Sequence, residues 1–288
     1  MRFNKISLII LSLLAAFVWI AAFFLPDNKL HLVFCDVGQG DGVLLSKGFS
    51  QMLIDAGPDE KVLDCLSENM PFFDRTIEVV ALTHPDTDHI TGIIPVLDKF
   101  EVEYFFDSLV PGRSSTYEAL LIRLKKIKVV SIFKGRKINF EGATLSVLWP
   151  EKSIVEDSLG EERLYALKES RVLGTQDSKL NLNDFSLVFL VDYSGTRVLL
   201  MGDADSRVQD EILRANTLGK VELLKFPHHG SKTGMSEEFL KTINPKEAVI
   251  SVGKNSFGHP TNEALLLLGK YKVKVRRTDQ EGEIHYQF

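Results

Sequence analysis

Thr83-His84-Pro85-Asp86-Thr87-Asp88-His89 sets four metal-capable side chains within six residues, between the apolar run IEVVALTH (77–84) and the helix-spaced run DHITGIIPVLDKF (88–100). Histidine supplies borderline nitrogen and aspartate hard oxygen, a mixture suited to Zn2+, Mn2+ or similar ions. Burying two unpaired carboxylates is costly, so they must be solvated, paired or coordinated. A tight turn after a strand also points alternate side chains into one small volume. The bland alternative is a capped surface turn with chance acidic residues.

Working outward, two later strand exits carry similar chemistry. Arg197-Val-Leu-Leu-Met201-Gly202-Asp203 delivers a carboxylate, followed by Ala204-Asp205. The run from Lys220 to Pro227 opens into His228-His229-Gly230-Ser231. Singly, each reads almost as well as a helix cap or a polar surface residue. Jointly they are specific, because five of the seven histidines (84, 89, 228, 229 and 259) fall in such motifs.

The surrounding pattern is a layered α/β domain over 30–288, with two central sheets and outer helices. Strands are expected at 31–36, 42–46, 51–55, 77–84, 143–149, 185–192, 196–201, 221–226 and 246–250. Helices are expected near 88–100, 115–128, 205–215, 235–242 and 261–270. Continuous apolar strands such as FSLVFLVDY imply sheets covered on both faces. Residues 150–183 are polar and weakly periodic, and read as a long loop or lid.

Residues 6–25, ISLIILSLLAAFVWIAAFFL, form an uncharged run long enough to cross the ~30 Å hydrocarbon core of a bilayer as a helix. Arg2 and Lys5 precede it, so a single-pass anchor (residues 1–29 with its linker) is expected, with the N-terminus inside and the domain outside. The competing reading is secretion after signal cleavage. Bulky Phe23, Phe24 and Leu25 stand where small residues would precede a cleavage site. The net charge is -5, and setting Arg2 and Lys5 aside leaves 32 basic against 39 acidic residues, or -7. A bulk nucleic-acid footprint is absent, though a local basic groove is compatible with that balance. Two cysteines make no disulfide framework; Cys35, in an apolar run, reads as a buried small hydrophobe. Neither belongs to a C-x-x-C pair.

The ordered set LIDAG (53–57), THPDTDHITG (83–92), LLMGDAD (199–205) and FPHHGS (226–231) resembles the metallo-β-lactamase superfamily. DVGQGDGVLL (36–45) and FGHPTNEAL (257–265) are similar to one branch, the C-terminal hydrolase domain of ComEC-type DNA-uptake proteins. The multi-span channel and nucleic-acid-binding barrel of those proteins have no counterpart here, so function is not inherited whole. The resemblance implies an αββα sandwich holding one or two divalent ions, Zn2+ or Mn2+. In it His84 and Asp86 would bind one metal, Asp88 and His89 the other, Asp203 would bridge, and His228 would complete the second site. The sequence leaves open which of His228 and His229 coordinates; the motif favours His228. Asp55 would orient the cluster from behind, Gly57 would serve a tight turn, and the loop 38–42 would bring Asp41 to the pocket edge. Two departures matter: Asp86 stands where the superfamily commonly has histidine, and its middle histidine has no equivalent, the region reading Asn181-Leu-Asn183-Asp184-Phe-Ser186.

The implied chemistry is metal-dependent hydrolysis of a phosphodiester or nucleic acid. Asp88, His229 and His259 would be catalytic, with Ser231 and Lys232 as further donors to developing negative charge. His259 reads nearly as well as a loop residue supporting the next helix start. Three activities compete: an outward-facing phosphodiesterase or nuclease, a hydrolase for small or wall-linked phosphoesters, and a degenerate binding module. Choline-type esters want an aromatic cage, and the chain has only two tryptophans. The missing middle histidine argues against β-lactam turnover, and no G-x-S-x-G elbow is present for an acyl-enzyme route.

Overall fold

The computed structural model describes residues 9–15, 19, 25–160, 180–215 and 218–288. Most of the expected anchor, 6–25, therefore lies outside the described residues. Residues 9–15 are helical, and among the described residues no helix is long and apolar enough to cross a membrane.

Alternating apolar runs build two seven-stranded sheets. The first takes β1 (His31–Phe34), β2 (Gly42–Lys47), β3 (Ser50–Ala56), β4 (Thr76–Ala81), β5 (Glu101–Asp107) and β6 (Lys128–Ser131). The second takes β7 (Lys137–Phe140), β8 (Ala143–Trp149), β9 (Val188–Tyr193), β10 (Thr196–Leu200), β11 (Leu223–Lys225), β12 (Glu247–Ile250) and β13 (Lys274–Arg277). The last strand, β14 (Ile284–Gln287), returns to the first sheet beside β1, giving the orders β14-β1-β2-β3-β4-β5-β6 and β13-β12-β11-β10-β9-β8-β7.

Both sheets change character at their middle. In the first, pairing is antiparallel through β2-β3 and parallel from β3-β4 onward; in the second, antiparallel through β9-β10 and parallel from β10-β11. Parallel neighbours need crossover helices, and those helices clothe the outer faces. The period of two then sorts each strand between layers. On β3, Met52 and Ile54 face the inter-sheet core with Phe34, Phe189, Leu200 and Val249, while Leu53 faces the helices with Leu66, Ile93 and Leu120. On the second sheet Leu199, Leu224 and Ala248 face Val208, Ile212, Phe239, Leu240 and Leu268. The result is the expected αββα sandwich.

Four expectations are corrected. The single helix 88–100 is two helices, Thr87–Ile90 and Ile93–Lys99, parted at Gly92, where a Cβ would lie 1.9 Å from the Ala56 carbonyl oxygen. The expected long loop 150–183 begins with a helix, Lys152–Leu159, whose Val155 and Leu159 pack on Val110 and Phe185; residues 161–179 lie outside the described residues. A helix at Val62–Asn69, the interior strand β5 and the edge strands β6, β7, β13 and β14 escape the pattern reading. Cys35 is fully buried, but it is no lone hydrophobe: it is disulfide-bonded to Cys65, tying the exit of β1 to the helix Val62–Asn69. Closing a loop of that separation contributes about 3–4 kcal/mol in the chain-entropy model.

Candidate metal centre

The points where antiparallel pairing turns parallel lie side by side at the carboxyl ends of β3, β4, β10 and β11. In open α/β sheets such a reversal leaves a crevice that loops can fill with polar groups. Asp55, near the end of β3, has φ +58, a left-handed conformation that costs on the order of 1–3 kcal/mol in a non-glycine residue. That geometry aims its carboxylate at the loop after β4. Asp55 accepts hydrogen bonds from the Thr83 amide (2.8 Å) and the Thr83 hydroxyl (2.7 Å), and His89 Nδ1 lies 2.8 Å from the same carboxylate. With the proton on Nδ1 held by Asp55, the Nε2 lone pair of His89 faces away from it. Next to it Gly57, with φ +74, leaves no room for a side chain, because a Cβ there would sit 2.5 Å from Val37 Cβ.

The second sheet answers with its own turn. Asp203 follows β10 and Gly202, its amide donating to Ser186 Oγ (3.2 Å). After β11, His228 and His229 are both left-handed at φ +52, followed by Gly230 at +86. This curl turns His229 inward, where Nδ1 donates to the Ser251 carbonyl (2.9 Å) and leaves Nε2 free.

Four side chains thereby present donor atoms within 4.8 Å of one another: Asp88, His89, Asp203 and His229. His229 Nε2 is 3.3 Å from Asp88 and 3.5 Å from Asp203, and His89 Nε2 is 3.5 Å from Asp203. His84 joins from the side, its ring centroid 4.1 Å from that of His89 and its Nε2 3.5 Å from Asp86. The Nε2 atoms of His84, His89 and His229 and Oδ1 of Asp203 are all buried without a hydrogen-bond partner. Buried polar atoms are nearly always paired, so the three orphans of His89, His229 and Asp203 in one volume, with that of His84 beside them, fit a cation.

The electrostatics agree. Burial works against a charged His89 ring, but the carboxylates of Asp203 and Asp55 outweigh it and raise the pKa well above its ordinary value. His229 is raised likewise by Asp203, Asp41 and Asp88 against burial. Burial would raise Asp203 and Asp88, yet the facing histidines, with Lys225 for Asp203, hold both below the usual carboxylate range. The cluster binds protons where an ion would otherwise sit.

The remaining candidates fall around this centre. Asp86 is half-buried beside His84. His228 stands outside the tight group, its Nε2 4.0 Å from Asp203 and Nδ1 3.4 Å from the Asn183 amide nitrogen. The inward position belongs to His229 because successive left-handed residues point their side chains apart. His259 packs 5.6 Å from the His228 ring; burial, with His228 and His229 nearby, lowers its pKa, so the ring is neutral at pH 7. A neutral ring is better suited to take a proton than to give one. Ser231 engages Thr233 rather than the cluster, and Lys232 is exposed.

Asp41 is buried and does reach the site, through a residue the pattern reading missed. Lys225, 1% exposed, makes a short ion pair with Asp41, donates to the Gly202 carbonyl (3.0 Å) and stands 3.9 Å from Asp203. A lone lysine in the apolar run LLKF was the available signal, since buried charge must be paired. Thr83, Ser186 and the Ser251 carbonyl were also missed; they orient the histidines from behind.

No family model matches the chain. It is 28% identical over 291 residues to ComE operon protein 3 of Bacillus subtilis, covering 88% of this chain and 32% of that protein. It is 28% identical over 259 residues to Recombination protein 2 of Haemophilus influenzae (88% and 28%), and 25% identical over 278 residues to Competence protein ComA of Neisseria gonorrhoeae (95% and 34%). The chain thus spans about a third of the length of these curated relatives. Among solved structures, the metallo-β-lactamase fold protein YhfI of Bacillus subtilis superposes with a TM-score of 0.55 at 14% identity, over 90% of this chain and all of that one. Zn2+-bound PqqB of Methylobacterium extorquens gives 0.54 at 13%, over 90% and 100%. The chain therefore has the metallo-β-lactamase fold and is a relative, over about a third of their length, of these competence and recombination proteins.

Proposed function

We propose that this chain is a metal-dependent phosphodiesterase acting on nucleic acid. The observation that carries the reading is the convergence of two buried, unpartnered histidine Nε2 atoms, of His89 and His229, on Asp203 and Asp88, with a third, of His84, in the neighbouring ring. The names of the competence and recombination relatives support a nucleic-acid substrate. One ion would be held by Asp88, His89, Asp203 and His229, and a second by His84 and Asp86. Zn2+ suits the imidazole-rich first set and Mn2+ the oxygen-richer second. Such ions supply Lewis acidity, polarising a phosphoryl oxygen and lowering the pKa of water from 15.7 towards ~7.

The chain's own groups do the rest. Asp55 and the Ser251 carbonyl hold the two inner imidazoles in the tautomer that presents Nε2. Lys225, held by Asp41 and the Gly202 carbonyl, braces the loop that carries Asp203. The amide of Asn183 and the neutral ring of His259 offer hydrogen bonds at the open side.

Incubating the chain in detergent with single-stranded and duplex DNA plus Mn2+ tests this reading. Cleavage is expected from the wild type and not from Asp88→Ala. Equal cleavage by both, or turnover only of small phosphoesters, overturns it.

The membrane reading is part of the same proposal: residues 6–25 anchor the chain and the domain lies outside the cytoplasm. The described residues 9–15 support it, being helical with Ile9, Ile10, Leu13 and Leu14 exposed. The Cys35–Cys65 disulfide fits an oxidising compartment. Asp27 docks at the turn between β2 and β3, accepting from the Gly48 amide (3.3 Å). That turn is a strand length, roughly 20 Å, from the metal centre, so Asp27 and the cleft lie at opposite ends of the sheet. Protease added to intact spheroplasts should degrade the domain; protection until lysis would place it inside.

A further inference from the structure

Phe257 is 71% exposed, on the loop between β12 and the helix Asn262–Lys270. Isolated exposed apolar side chains are ordinary, but this one stands on a braced loop. Asn255 alone makes four hydrogen bonds within it. Its amide donates to the Gly253 and His259 carbonyls (both 2.8 Å), and its oxygen accepts from the Phe257 and His259 amides (both 3.0 Å). Behind the loop, Gly253 packs on Gly38 and Gln39, so closely that a Cβ would lie 2.4 Å from the Gly38 carbonyl carbon.

The braced ring opens a continuous row into the centre. The Phe257 and His259 rings are 5.8 Å apart and tilted by 32°, His259 is 5.6 Å from His228, and His228 Nε2 is 4.0 Å from Asp203. Lys254 on the same loop and Lys232 on the adjoining turn are both exposed. Neighbouring ammonium groups disfavour a quaternary-ammonium ligand, which also wants several rings around it. They favour a neutral planar group carried between phosphates.

We infer that Phe257 is a stacking platform for a nucleobase flanking the scissile phosphodiester, and that the substrate strand lies single-stranded across the cleft mouth. This rests on the nuclease reading above and adds the group by which the site would tell a nucleotide from a bare phosphodiester. Stacking on an aromatic side chain is tolerant of base identity, so little sequence preference is expected.

The test compares cleavage of a single-stranded oligonucleotide with that of the same strand carrying abasic residues, using the full chain with Mn2+. For the wild type, kcat/KM should be roughly ten- to a hundredfold higher on the base-containing strand. In Phe257→Ala that ratio should collapse towards unity, and in Phe257→Trp it should be restored. Because the ring is exposed, neither substitution should perturb folding. Cleavage with an unchanged ratio in Phe257→Ala removes the stacking inference and leaves the nuclease reading intact. No cleavage of either strand by the wild type removes both.

Discussion

The donors on the two sides of Asp203 come partly from one heptapeptide, yet they are built differently. On one side Asp88, His89 and His229 form a finished pocket, each imidazole pinned through Nδ1 by a buried acceptor, Asp55 or the Ser251 carbonyl. On the other side His84 has only the hydroxyls of Thr83 (3.1 Å) and Ser186 (3.3 Å) behind it, and Asp86 is half-buried. There His228 and Asn183 lean on each other rather than on the cluster. A pocket whose donors are already fixed binds an ion without ordering them first, whereas the open side must be completed by its ligand. The expectation is one tightly held ion, with the second position filled only under higher metal or with substrate present.

A mutant series ranks that contrast. His229→Ala should cost on the order of 10³-fold or more in kcat/KM and lose the tight ion by metal analysis. Asp55→Asn should cost about 10- to 100-fold, through an imidazole no longer held in its tautomer. His228→Ala should cost less than about tenfold and leave the tight ion in place. Equal losses in His229→Ala and His228→Ala would break the distinction between the two sides.

Much of this was legible in the sequence, for a physical reason. Apolar strands ending abruptly in histidine and aspartate announce a site wherever they occur, and β3, β4, β10 and β11 all end that way. Most central strands and outer helices followed from periodicity, though β5, whose EVEYFFD interleaves charge with large aromatics, did not. Edge strands did not, because β6, β7 and β13 are four residues long and carry solvent-facing lysine or arginine that dilutes the alternation. The choice between His228 and His229 was invisible, since two adjacent residues in a turn differ only in direction and backbone curl decides that. Lys225 lies in the run from Lys220 to Pro227 with nothing nearby to single it out, because its partner Asp41 is 184 residues away. The same distance problem hid the Cys35–Cys65 bond: nothing local in either cysteine's neighbourhood names the other.

The finished pocket also predicts how protons and metal compete. In the metal-free chain the pKa values of His89 and His229 are raised, so their charged forms stabilise the fold below pH 6.5 and that contribution is lost as pH rises through the folded values. Asp88 and Asp203 are lowered, so theirs is present above pH 3.8 and is lost as pH falls through the folded values. Metal-free stability should therefore be greatest between about pH 4 and 6.5 and decline towards pH 8. An ion needs both imidazoles deprotonated, so binding should release up to about two protons and weaken by as much as a hundredfold per pH unit below the raised values. Calorimetry of Zn2+ binding in buffers of different ionisation enthalpy reads the proton count. Thermal melts with and without metal should separate further from pH 6 to pH 8. A gap independent of pH, with no proton release, would mean that the ion sits among groups other than these histidines.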